Sequence, residues 1–285
     1  MPTHILPQTS ARFRLMVVDL DSVVSAAGSL NPTDAAALRA AHAAGIKVVL
    51  ASARSPQAIH RYWAQLGLGT PVVAFDGALV YDFPGRKPLL GQPLDGKLLA
   101  QLLHDTALGA PKATVVLETA DGWIANRIGS FARSIIEQTG NWPSISPDLS
   151  AGLPYPVYRM TVEAAGATLS TLRAALPAAG LVCREGNAGW LQLTSDAAGR
   201  EWALSALAGI EEVSLDEVVV IGGRAGEGAR LDAAALAALM ANAVAGAGLL
   251  ASEPESSITY GDGGDTPGEL TPAGSEDDLW PTIER

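Results

Sequence analysis

FRLMVVDLDSVVS, Phe13 to Ser25, is the stretch that decides how this chain reads. Leu15 to Val18 are apolar without a break. A short uninterrupted apolar run marks a strand covered on both faces, as in a parallel sheet flanked by helices. The run then meets Asp19 and Asp21. In open parallel sheets, ligands bind in the crevice beyond the carboxyl ends of the strands, so these two acids stand where site chemistry is expected. Two carboxylates this close repel each other, and each resists losing water unless a cation or a proton intervenes. A divalent metal is the natural solution, although an Asp pair at a strand end also serves as plain turn and helix-cap chemistry.

The same grammar extends outward. Asn31-Pro32-Thr33 is a capping residue followed by a proline suited to the first helical turn, and DAAALRAAHAAG continues the helix to Gly45. IKVVLAS reads as a second strand, SPQAIHRYWAQLGL as a second helix and PVVAFDG as a third strand. Late in the chain REWALSALAGI reads as a helix, EVVVIGG as a strand and LDAAALAALMANA as a helix. This alternation predicts a parallel α/β sheet. Between the two blocks the pattern changes to a hairpin (TVVLETADGWIANR), a strand (YPVYRMTVEA), a closing pair (LVCREGNAGWLQLT) and two helices (LDGKLLAQLLHDTAL and ATLSTLRAALPAAG). That block reads as an inserted α/β module. The expected organisation is a core over 1–83 and 190–252, an insertion over 84–189 and an acidic Gly/Pro-rich tail over 253–285.

Charge and composition exclude several classes of function. Thirty acidic against nineteen basic side chains give a net charge of -11, which repels nucleic acid and anionic membranes on average. Cys183 is the single cysteine, so the chain forms no internal disulfide and no thiolate-rich metal site, and a reducing compartment suits it. No stretch is long and apolar enough to span a bilayer, and the first dozen residues lack the pattern of a secretion signal. A cytoplasmic location is therefore expected. His4, His42, His60 and His104 are scattered without metal-ligand spacing. Trp63, Trp123 and Trp190 read as packing residues, with cap aromatics near Trp123 as candidates to line a pocket.

Taken in order, DLDSV, SAR after the second strand, FDGALVYD after the third, the GREWAL helix start and the GGRAGEGARL loop resemble the haloacid dehalogenase superfamily. The resemblance is in particular to its Cof-type sugar-phosphate phosphatases, whose large α/β cap lies between the second and third motifs. It runs from Phe13 to Asn242. It implies a Rossmann-like parallel sheet core with an inserted cap domain. It also implies a Mg²⁺-dependent phosphomonoester hydrolase acting on a small phosphorylated metabolite, with no nucleic-acid or membrane partner. By that resemblance Asp19 would be the nucleophile that forms an aspartyl-phosphate, and Asp21 the general acid and then base. Ser52 would hold a phosphate oxygen, and Arg200 stands where the family has lysine, its planar fork not equivalent to a compact ammonium. Asp19 and the main-chain carbonyl of Asp21 would hold Mg²⁺, and Glu227 is the one carboxylate left to the fourth motif.

The departures from the family pattern concentrate in that fourth motif. Where the family has Gly-Asp, a short spacer and Asn-Asp, this chain has Gly222-Gly223-Arg224-Ala225-Gly226-Glu227. Ser22 and Val23 replace Gly-Thr after the second aspartate, and Asp76 replaces an asparagine, an added anion that the metal or Arg54 would have to offset. A metal ion contributes several kcal/mol to phosphoryl transfer, and losing about 4 kcal/mol of that slows the reaction about a thousandfold. Three readings therefore stay open: an active phosphatase, a pseudophosphatase that binds a phosphorylated ligand or a protein partner, and an interaction protein working through its cap or tail. The tail stretch ITYGDGGDTPGEL, with Asp262 and Asp265, imitates an intact fourth motif, but Pro267 and Gly268 interrupt any following helix.

Overall fold

The structure is a computed structural model and describes residues 13–25, 27–149, 155–177, 180–186 and 189–222. The first strand, β1 (Leu15–Asp19), alternates its side chains between two apolar layers. Leu15 and Val17 pack in the layer that holds Ala203 and Leu207, while Met16 and Val18 pack with Leu38, Ile59 and Tyr62 on the other side. Both faces are thus buried, which is why the run is apolar without a break.

Two helices on one face follow directly from local signals. In α1 (Pro32–Ala43), Asn31 Oδ1 accepts the Thr33 N–H at 2.9 Å and satisfies one of the first-turn donors. The chain then runs into β2 (Lys47–Ala51), parallel to β1, and α2 (Pro56–Leu66), which ends at Gly67 with φ +68°. A short parallel strand, β3 (Val72–Ala74), follows, and then the antiparallel β4 (Leu79–Asp82) and β5 (Lys87–Gly91).

The insertion begins with α3 (Gly96–Gly109), capped by Asp95, and β6 (Thr114–Glu118). It continues through β7 (Trp123–Ala125), α4 (Ser130–Thr139), β8 (Ser144–Ile145), β9 (Arg159–Glu163), α5 (Gly166–Ala175), β10 (Leu181–Gly186) and β11 (Trp190–Ser195). The sheet order is β10-β11-β9-β6-β7-β8, antiparallel except for the β7–β8 pair. One face packs Val115, Leu117, Met160, Val162, Leu191 and Leu193 under α3 and α5. The chain returns through α6 (Arg200–Ile210) to β12 (Val218–Ile221), which pairs parallel to β1 and completes the first sheet in the order β12-β1-β2-β3-β4-β5.

The expected α/β core with an inserted α/β cap is present, and strand pairing assigns the residues on either side of 84 and 189 to the two sheets. β5 pairs with β4 in the first sheet, and β11 sits between β10 and β9 in the second. Pro84-Gly85 belongs to the turn between β4 and β5, with Gly85 N–H donating to Asp82 Oδ2 at 3.1 Å. A turn signal marks where the chain reverses, and strand pairing decides which sheet receives it. The tail over 253–285, including Asp262 and Asp265, lies outside the described residues.

Candidate active site

Asp19 closes β1, and the backbone turns at once into a 3-10 turn, Leu20–Ser22. Asp19 Oδ1 accepts the Asp21 N–H at 3.1 Å, and Ser22 Oγ donates to the Asp19 carbonyl at 2.6 Å. Gly222, just after β12, has φ +77° and runs against this turn: a Cβ there would lie 2.4 Å from Ser22 Oγ and 3.1 Å from Asp19 Cβ. Glycine is what allows the last strand to leave the sheet so close to Asp19.

Arg200 is the first residue of α6, and its Nη2 lies 2.9 Å from Asp19 Oδ2. A second close approach positions this helix. Phe75, Asp76 and Gly77 all have positive φ, and a Cβ on Gly77 would fall 2.5 Å from the Gly199 carbonyl group. Such left-handed non-glycine residues cost backbone strain, and they cluster at sites where the chain must aim a side chain. Arg54 Nη2 lies 2.6 Å from Asp21 Oδ1, its N–H donates to Ser52 Oγ at 3.2 Å, and its Nη1 donates to Tyr62 Oη at 3.1 Å. Asp19, Asp21, Ser52 and Arg200 are therefore joined, through Arg54, into one hydrogen-bonded set at the strand ends. Burial pushes the Asp19 carboxyl above the ordinary aspartate range, and the Arg200 charge opposes that rise without cancelling it.

Glu227, expected to be the third carboxylate, lies outside the described residues, as do Gly223, Arg224 and Gly226. Among the described residues no group of three His, Cys, Asp or Glu side chains converges. The Asp19 carboxylate and the Asp21 carbonyl are oxygen donors of the kind Mg²⁺ takes alongside a substrate phosphate.

The cap closes over this set with its other sheet face. Arg159 of β9 is buried, and its Nε and Nη2 donate to Glu118 at 2.5 and 2.8 Å. Its Nη1 reaches across to the Ala53 carbonyl at 2.6 Å, between Ser52 and Arg54. Burial alone would lower the Arg159 pKa, but the Glu118 charge and hydrogen bonds outweigh it and hold the guanidinium above its ordinary value. Arg184 of β10 forms an ion pair with Asp76, so the offset for that anion comes from the cap rather than from Arg54. Between core and cap lies a cavity of about 250 Å³, lined by Asp21 and Arg54 on one side and Phe131, Trp190 and Gln192 on the other. Trp123 is buried within the cap with Val116 and Ile135, and Phe131, packed against that cluster, is an aromatic of the cavity wall near it, as expected. Arg159 and Glu118 went unnoticed in the sequence, although a charge of each sign within otherwise apolar strands is itself a signal of a buried partner.

A haloacid dehalogenase-like hydrolase family model matches residues 16–253, most of the chain. The chain belongs to the haloacid dehalogenase-like hydrolases. Solved relatives of this hydrolase share its fold. One is a haloacid dehalogenase-like hydrolase from Bacteroides thetaiotaomicron, 16% identical, with a TM-score of 0.66 over 74% of this chain and 82% of that one. Another is the Bacteroides thetaiotaomicron phosphatase BT1666, 17% identical, with a TM-score of 0.62 over 79% of this chain and 83% of that one. The pyridoxal phosphate phosphatase YbhA of Escherichia coli (strain K12) is 29% identical over 92 residues, which is 32% of this chain and 34% of that protein. The hydrolase thus matches about a third of that curated relative's length. No helix among the described residues is long and apolar enough to cross a membrane.

Proposed function

We propose that this hydrolase is a cytoplasmic phosphomonoester phosphatase of the sugar-phosphate type, acting on a small phosphorylated metabolite through an aspartyl-phosphate on Asp19. The observation that carries the reading is the Asp19–Arg200 pair, a carboxylate and a guanidinium at 2.9 Å at the end of the first strand. The YbhA match supports a phosphomonoester substrate, and the single cysteine suits a reducing compartment.

In this mechanism an Asp19 carboxylate oxygen attacks phosphorus from the side opposite the leaving oxygen, and the phosphorus–oxygen bond to the alcohol breaks. Asp21 gives its proton to that oxygen. It then takes a proton from water, whose oxygen attacks phosphorus and frees Asp19. Arg200, Arg54 and the Ser52 hydroxyl offer hydrogen-bond donors to the remaining phosphate oxygens. Mg²⁺, held by Asp19, the Asp21 carbonyl and Glu227, would supply charge neutralisation for the transferring group.

A second reading, phosphate binding without turnover, is favoured by Gly223 standing where the family's first fourth-motif acid stands. Hydrolysis of p-nitrophenyl phosphate separates the two. The phosphatase reading expects turnover with Mg²⁺ that is lost with a chelator and in Asp19→Asn. Phosphate affinity without any turnover would select the second reading.

A further inference from the structure

The cavity between core and cap carries a chemical signature of its own. Among the described residues four charged side chains line it, and they cancel: Arg54 is paired with Asp21, and Arg159 with Glu118. Arg184, on the same cap strand face, is engaged with Asp76. Among the described residues that line this space, Arg54 serves the phosphate end and Arg159 is sealed against Glu118, so a second anion would find no further cation to receive it and two carboxylates to oppose it.

What the cap offers instead is flat apolar surface and a neutral amide. Phe131 and Trp190 meet with ring centroids 5.9 Å apart at 53°. The Trp190 indole lies over Gly186, directly across the β10–β11 ladder, where a Cβ would come within 2.1 Å of the ring. The missing side chain at 186 gives the ring its seat, so the wall is formed before a ligand arrives. Gln192 is half-buried on the same strand face, and its side-chain amide has no hydrogen-bond partner among the described residues. An unpartnered amide supplies both donors and an acceptor to hydroxyl or carbonyl groups.

Resting on the reading of Asp19 and Arg200 as the phosphate end, we propose that the leaving group is an uncharged, ring-bearing alcohol with an apolar ring face and hydrogen-bonding substituents. Its ring lies on Trp190 and Phe131, and Gln192 reads a substituent. Esters bearing a second phosphate or a carboxylate are excluded by the charge-neutral wall. Trp190 and Gln192 are specificity-determining residues.

The test uses phosphonates, whose phosphorus–carbon bond is not hydrolysed, so that it does not depend on turnover. The full chain is titrated calorimetrically with methylphosphonate, benzylphosphonate and 3-phosphonopropionate. Stacking on an aromatic wall makes benzylphosphonate about tenfold tighter than methylphosphonate, while 3-phosphonopropionate gains nothing over methylphosphonate. Trp190→Ala brings benzylphosphonate down to the methylphosphonate level and leaves methylphosphonate unchanged, and Gln192→Lys supplies the missing cation and tightens 3-phosphonopropionate selectively. Equal affinity for all three, or a preference for 3-phosphonopropionate in the unmodified chain, overturns the inference. If Trp190→Ala fails to fold, the order of the three ligands on the unmodified chain still decides. Failure of the phosphatase reading shows separately, as an intact ligand order with no hydrolysis of p-nitrophenyl phosphate.

Discussion

On the two sides of one crevice, arginines hold carboxylates under opposite conditions. In the cap wall, Arg159 and Glu118 are 9% and 2% exposed at the side chain and joined by two hydrogen bonds, with a third from Arg159 to a core carbonyl. At the strand ends, Arg54 and Asp21 are 26% and 54% exposed and share one short contact, and Arg200 holds a single oxygen of Asp19. A sealed pair cannot exchange partners without stranding a charge in the interior. An open pair can let its guanidinium pass from carboxylate to an arriving phosphate while water covers the difference. The cap pair fixes the geometry of the seam, and the core pairs remain available for chemistry.

The largest expected effect breaks the sealed side. Glu118→Ala leaves Arg159 buried and uncompensated and should lower unfolding stability by about 3–5 kcal/mol in a denaturant titration. Asp21→Asn, on the open side, should cost less than about 1 kcal/mol in the same titration. Equal losses at the two positions would erase the distinction. Next is the joint that aims Arg200. Gly77→Ala puts a Cβ against the Gly199 backbone at a φ of +93° and should cost about 1–3 kcal/mol. Because the clash displaces the start of α6, its turnover of p-nitrophenyl phosphate should fall even at temperatures where the variant is fully folded.

The smallest expected effect concerns a seam contact away from the crevice, where Tyr81 Oη donates to Asp121 Oδ1 at 3.0 Å. Burial, and then the hydrogen bond and charge of Asp121, push the Tyr81 pKa up to about 12. Since the folded value exceeds the ordinary value of about 10, this contact's stability is complete below pH 10 and is lost as pH rises through 12. Tyr81→Phe should cost about 1 kcal/mol at neutral pH and flatten the alkaline decline in melting temperature. A decline of the same steepness in Tyr81→Phe would assign it to other groups.

Much of the core side was legible in the sequence because its signals are local. Asn31, Pro32 and Gly45 punctuate a helix within a few residues of themselves, and the unbroken run from Leu15 to Val18 announced a doubly covered strand. The strand also placed Asp19 and Asp21 at the right end of the sheet, and the GREWAL start placed Arg200 at the first turn of α6. The seam was not legible. Arg184 meets Asp76 across 108 positions and Arg159 meets Ala53 across 106, and periodicity reports which face a residue takes, never what faces it. Nor does periodicity report which sheet β5 and β11 join, since a strand's partner is decided by tertiary packing. Trp190 read as packing because a half-buried indole looks alike in sequence whether it supports a core or a cavity wall.

The most direct measurement is acid quenching of the chain during turnover of p-nitrophenyl phosphate with Mg²⁺, followed by fragment mass analysis to locate any bound phosphoryl group. The expected result is a phosphoryl group on Asp19, absent from Asp19→Asn, whose turnover falls to background while its cooperative melt is retained. Turnover with no phosphoryl group on Asp19, or turnover that survives Asp19→Asn, would contradict the assignment of Asp19 as the attacking group.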